Sequence, residues 1–72
     1  MDTGEVTSVV GEQVVVKAAG RLPGMGSAVF ANKGRIGLVA DIIGTVEMPY
    51  FVVRKQPNAV VKVGDRTRDK GV

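Results

Sequence analysis

The side chains that carry most enzymatic chemistry are missing from this chain. It has no His and no Cys. That removes imidazole bases, thiolate nucleophiles, disulfides, haem attachment and Cys/His zinc sites together. Ser8 and Ser27 therefore have no His to activate a hydroxyl. The 7 acidic residues are dispersed. Asp41 and Glu47, on either side of Gly44, are the pair that a turn could bring together. Paired carboxylates do acid/base work in a sheltered cleft that splits their pKa values. A chain of 72 residues has little interior to build one, so both are expected to be solvated strand-end charges. Gly20, Gly24 and Gly26 are not followed by the Lys-Ser/Thr pair or the helix of a phosphate loop. The expectation is a non-enzyme, with no catalytic residue, cofactor, metal site or small-molecule substrate.

What remains is the chemistry of contact. Ile43, Val46, Met48, Pro49 and Tyr50 crowd around one Gly-Thr turn. Tyr and Met are enriched at interface cores, and Tyr loses little rotamer entropy when fixed. The competing reading is that Tyr50 plugs one end of the fold while its hydroxyl reaches water. A second group, Leu22, Pro23 and Met25, lies in a Gly-rich loop from Ala18 to Ser27. Such side chains form either a lid on the core or a contact site, because loops carry function. Both groups are candidate partner-binding residues.

The elements that must position them are strands. Gly or Pro interrupts almost every window long enough for a helix. Period-two runs are present instead, and Val, with 15 positions, suits a pleated, half-buried surface. Residues 5–10 and 13–17 are expected to form a hairpin about Gly11-Glu12. A short strand at 28–31 is followed by a turn at Asn32-Lys33-Gly34. Residues 35–43 form the clearest strand, with Ile36, Leu38, Ala40 and Ile42 on one face and Gly37 marking a bulge or bend. A strand at 46–54 contains Pro49, which belongs at an edge, a bulge or before the paired part. Residues 59–63 complete the set. Six short strands predict an all-β fold, a small closed six-stranded antiparallel-rich β-barrel, since closure removes free edges. The barrel is assigned to residues 1–65, and 66–72 to a short basic C-terminal segment that is expected to fray.

The formal net charge is +3, and it is uneven. Residues 54–72 hold Arg54, Lys55, Lys62, Arg66, Arg68 and Lys70 against Asp65 and Asp69, a net of +4. This permits proximity to nucleic acid without specifying base recognition. Tyr50, Phe30 and Phe51 are the only aromatics, too few for a stacking platform. No apolar run approaches the roughly 20 residues of a membrane span. The acidic start, Met1 to Glu5, is not expected to be a signal peptide, and no membrane contact is expected.

Several motifs occur in order: Leu22-Pro23-Gly24-Met25-Gly26-Ser27-Ala28-Val29, Gly34-Arg35-Ile36-Gly37, Asp41-Ile42-Ile43-Gly44-Thr45-Val46-Glu47-Met48-Pro49-Tyr50 and Val63-Gly64-Asp65. Their sequence and spacing resemble the Gar family, the small β-barrel subunits of H/ACA ribonucleoproteins that carry out RNA-guided pseudouridylation. Ile43 stands where that family usually has Phe, and Thr45 where it usually has Pro. The resemblance implies a six-stranded barrel and a non-catalytic accessory subunit. It implies binding to the catalytic domain of a dyskerin-type pseudouridine synthase, with the H/ACA guide RNA complex engaged indirectly. It implies help with substrate loading and product release in rRNA pseudouridylation, and hence a part in ribosome biogenesis. Eukaryotic relatives carry Gly/Arg-rich tails. This chain shows none, so it resembles the short archaeal form, for which the compartment is cytoplasmic.

The alternative is a stand-alone RNA- or ribosome-binding β-barrel of translation-factor type, supported by the basic residues after 53. Salt separates the two, because phosphate-driven binding weakens steeply as salt rises and an apolar protein interface does not.

Overall fold

The computed structural model describes residues 2–20, 22–31 and 34–69. Six strands form in order: β1 (Asp2–Val10), β2 (Gln13–Ala18), β3 (Ala28–Ala31), β4 (Gly34–Gly44), β5 (Pro49–Lys55) and β6 (Arg66–Asp69). They close into a barrel in the order β1-β2-β5-β4-β3-β6, with every neighbouring pair antiparallel. The predicted all-β class and the six-stranded closed barrel are what is found. The expected turn at Asn32-Lys33-Gly34 lies partly outside the described residues.

The alternation of Val with polar residues sets the interior. Val14 and Val16 of β2, and Phe51 and Val53 of β5, point inward and are fully buried. Val6, Val29, Ala31, Ile36 and Val39 complete the apolar core. The even-numbered residues of β5, Tyr50, Val52 and Arg54, therefore face outward.

The face assigned to β4 needs correction. Ile36 is buried, but Leu38 is on the outer wall, and Val39 is inside instead. The reason is two register irregularities. Between β3 and β4 the pairs Val29↔Gly37 and Phe30↔Arg35 leave Ile36 as an extra residue. Between β4 and β5 the pairs Val39↔Val53 and Asp41↔Val52 leave Ala40 extra. Each extra residue shifts the phase of alternation. Ile36 and Val39, three apart, thus lie on the inner side, where strict alternation would have placed Leu38, while Ile42, opposite Phe51, is 38% exposed. Gly37 sits at the first irregularity. A Cβ there would stand 2.8 Å from the carbonyl carbon of Arg54 and 3.0 Å from Val53 Cγ1, so β5 passes too close for any side chain.

The sixth strand also needs correction. Ala59–Val63 is not a strand, and β6 is Arg66–Asp69. The segment after Lys55 instead arches across one end of the barrel. Gln56 N donates to Ile36 O at 2.7 Å, and Ala59 and Val61 pack against the core. Val60 and Val63, at 73% and 66% exposure, do not. Gly64 N then donates to Val6 O and Val6 N to Asp65 O, both at 2.8 Å, which steers the chain into β6 between β1 and β3. The barrel accordingly runs past residue 65. At the opposite end the loop after β2 returns along β4, with Gly26 N donating to Val39 O at 2.8 Å and Val39 N to Ser27 O at 2.9 Å.

Candidate functional site

The turn between β4 and β5 is built by three residues. Gly44 adopts φ +92°, a left-handed conformation that residues with a Cβ rarely take. Thr45 Oγ1 accepts a hydrogen bond from Met48 N at 3.0 Å. This side-chain tie fixes the turn at the position where the resembling family usually has Pro. Pro49 opens β5 opposite Gly44, where its missing N–H costs little of the ladder. The expected strand at 46–54 therefore begins three residues later, because the tied turn occupies 45–48.

That turn displays its apolar residues. Val46 is 99% exposed, Met48 51% and Ile43 43%. Tyr50 is half-buried. Its ring lies over Gly44, with Cδ1 3.3 Å from where a Cβ would be. The missing side chain gives the aromatic ring a flat bed on the outer surface. Tyr50 thus faces outward and does not plug the barrel.

Register extends this face across three strands. Lys17, Tyr50 and Ile43 form one outer row, and Val15, Val52 and Asp41 the next. Val15 and Val52, both half-buried, were not among the sequence candidates. The alternation Gln13, Val15, Lys17 held the signal, since Val15 is the apolar member of an otherwise polar face.

The loop candidates divide. Leu22 packs against the core and also reaches the turn. It lines a shallow cleft of about 380 Å³ with Ile42, Ile43, Val46 and Pro49. Pro23 is buried, so it holds the loop and offers no contact surface. Met25 is 61% exposed and lies outside this cleft. The structure thus joins Leu22 to the turn and leaves Pro23 and Met25 apart from it.

Asp41 and Glu47 are both exposed. Asp41 Oδ1 accepts a hydrogen bond from Ile42 N at 2.8 Å, a local solvated arrangement with no sheltered cleft around it.

A family model described as the Gar1/Naf1 RNA binding region matches residues 1–71. Comparison with curated proteins gave no match.

Proposed function

The chain belongs to the Gar1/Naf1 family, and from that premise we propose that it is a non-catalytic accessory subunit of an H/ACA ribonucleoprotein. On this reading it binds the catalytic domain of a dyskerin-type pseudouridine synthase and promotes substrate loading and product release. It works in the cytoplasm and meets the guide RNA complex through the enzyme.

One observation supports the mode of binding. The outer wall beside the β4–β5 turn carries Ile43, Val46, Met48, Pro49 and Tyr50 on a rigid backbone, continuous with Val52 and Val15. A solvated wall gains nothing from such residues, whereas a partner that covers them removes apolar surface from water. Tyr50 supplies a large, low-entropy contact near the middle of the face.

The test is capture of the purified synthase at about 0.5 M salt, where surface electrostatics are heavily screened. Retention at that salt, and its loss in Ile43→Lys, is the expected result. Capture that disappears as salt rises would favour a phosphate- or charge-driven partner and remove this reading.

A further inference from the structure

At its other end the same wall turns cationic. Beyond the Val15–Val52–Asp41 row comes a row of Gln13, Arg54 and Leu38. Arg54 borders a groove whose lining also includes Arg35, Lys55, Glu12 and Leu38. The charged side chains of that lining, three cations and Glu12, leave a net of +2.

Two of the cations are held by neutral oxygens. Lys55 Nζ donates to Gln56 O at 3.1 Å and to Ala59 O at 3.0 Å. With the Gln56 amide oriented to satisfy its neighbours, its oxygen accepts from Arg35 Nη2 at 2.9 Å and from Nε at 3.1 Å. Carbonyl and amide acceptors fix a cation in place without cancelling its charge. Neither Arg35 nor Lys55 has a carboxylate partner among the described residues. Arg54 is exposed. The groove therefore presents pre-oriented positive charge, the arrangement that receives an anion with little ordering cost.

We propose that the Arg35–Arg54–Lys55 groove binds the phosphate backbone of RNA without reading its bases. The family description names RNA, and the side chains decide how it would be held. Phe51 is fully buried and Tyr50 lies in the apolar face, so the groove offers no aromatic platform for stacked bases. Guanidinium and ammonium groups instead match phosphate oxygens. Arg54 is four residues along β5 from Tyr50, roughly 13 Å at strand spacing. The same wall can thus hold a protein at one end and an RNA strand at the other. This rests on the accessory-subunit reading for its context, not for its chemistry.

The experiment is fluorescence anisotropy of a labelled RNA stem-loop of arbitrary sequence, titrated with the chain between about 50 and 200 mM salt. Wild type should bind with equal affinity to stem-loops of unrelated sequence. Arg54→Gln should weaken binding roughly three- to tenfold and flatten the log–log salt slope by about one. Arg35→Gln and Lys55→Gln should act in the same direction. Arg66→Gln, on β6 outside the groove, should leave both quantities unchanged while removing the same net charge. Among the described residues the exposed Arg54 side chain makes no hydrogen bond or ion pair within the barrel, so its variant tests the groove with the fold intact. Absence of RNA binding by wild type overturns the proposal. So does an equal loss in Arg66→Gln, which would indicate bulk charge alone. A loss of low-salt synthase capture in Arg54→Gln with RNA binding intact would assign the groove to an acidic protein surface and also overturn it. Synthase capture at about 0.5 M salt is scored separately. Its failure in wild type removes the accessory-subunit reading and leaves the RNA result standing by itself.

Discussion

The hydroxyl oxygens of Thr3 and Thr67 lie 2.7 Å apart inside the barrel, although 64 positions separate them in the chain. Thr67 Oγ1 also donates to Gly4 O at 3.3 Å. A hydroxyl has one hydrogen, so Thr3 is the donor to Thr67. This short chain of hydrogen bonds joins β1 to β6, and both side chains are buried.

Thr67→Val keeps the shape and removes the acceptor. Thr3 is then left with a buried hydroxyl and no partner. A loss of about 1–3 kcal/mol is expected in urea melts. Adding Thr3→Val should restore part of that loss, since two apolar groups of like shape pack without an orphan. A Thr67→Val melt that overlays on wild type would show the pair to be dispensable.

Ending the chain after residue 65 removes β6. Its neighbours β1 and β3 would then present free edges on a Val-rich sheet. Loss of the cooperative thermal transition and a rise in light scattering are expected. A cooperative melt retained by the shortened chain would show that Arg66–Asp69 is not needed to close the barrel.

The contrast between residues 59–63 and 66–69 shows where sequence reading reaches its limit. Ala59-Val60-Val61-Lys62-Val63 has the composition of a strand, yet its backbone is diverted by Gln56 and Lys55 contacts and only Ala59 and Val61 touch the core. Arg66-Thr67-Arg68-Asp69 has no apolar residue, yet it pairs on both sides. Thr67 fills the interior there with a satisfied hydroxyl. Composition could not separate these cases, because long-range pairing decided them. The hairpins about Gly11 and Gly44, by contrast, were legible because turn residues fall between alternating runs. The proposed partner face was half legible. Ile43 to Tyr50 stood out by residue type, but whether Tyr50 faced in or out depended on the phase of β5, which Phe51 and Val53 settle.

Val60→Lys should change stability by no more than about 0.5 kcal/mol, since the side chain is exposed and outside any ladder. Val61→Asp should lower the melting temperature clearly, because it puts a charge against the core. Equal effects of the two, read by differential scanning calorimetry, would contradict the arch described here.

Gly44→Val should cost about 1–3 kcal/mol through backbone strain at positive φ. Circular-dichroism melts test this. The same variant displaces the Tyr50 ring, so partner capture should fall even at temperatures where the barrel stays folded.

On the proposed accessory-subunit role, Tyr50→Ala should weaken synthase binding by about 2 kcal/mol, near thirtyfold, and leave the barrel folded, because the ring lies outside. Arg68→Ala, on β6 directly across the barrel from β5, should leave binding unchanged. Isothermal titration with both variants decides it. Normal binding by Tyr50→Ala would move the interface away from the β4–β5 wall.

The position of β6 between β1 and β3 governs how the protein can be made. While a ribosome is still adding residues before 66, β1 and β3 have no strand to bridge them, and the nascent chain carries a cleft along its length. Contacts such as Thr3 with Thr67 span nearly the whole sequence, and topologies dominated by distant pairings fold slowly. Closure therefore waits until β6 has been made. Until it happens, two Val-bearing edges are open to whatever chaperone or neighbouring chain arrives first.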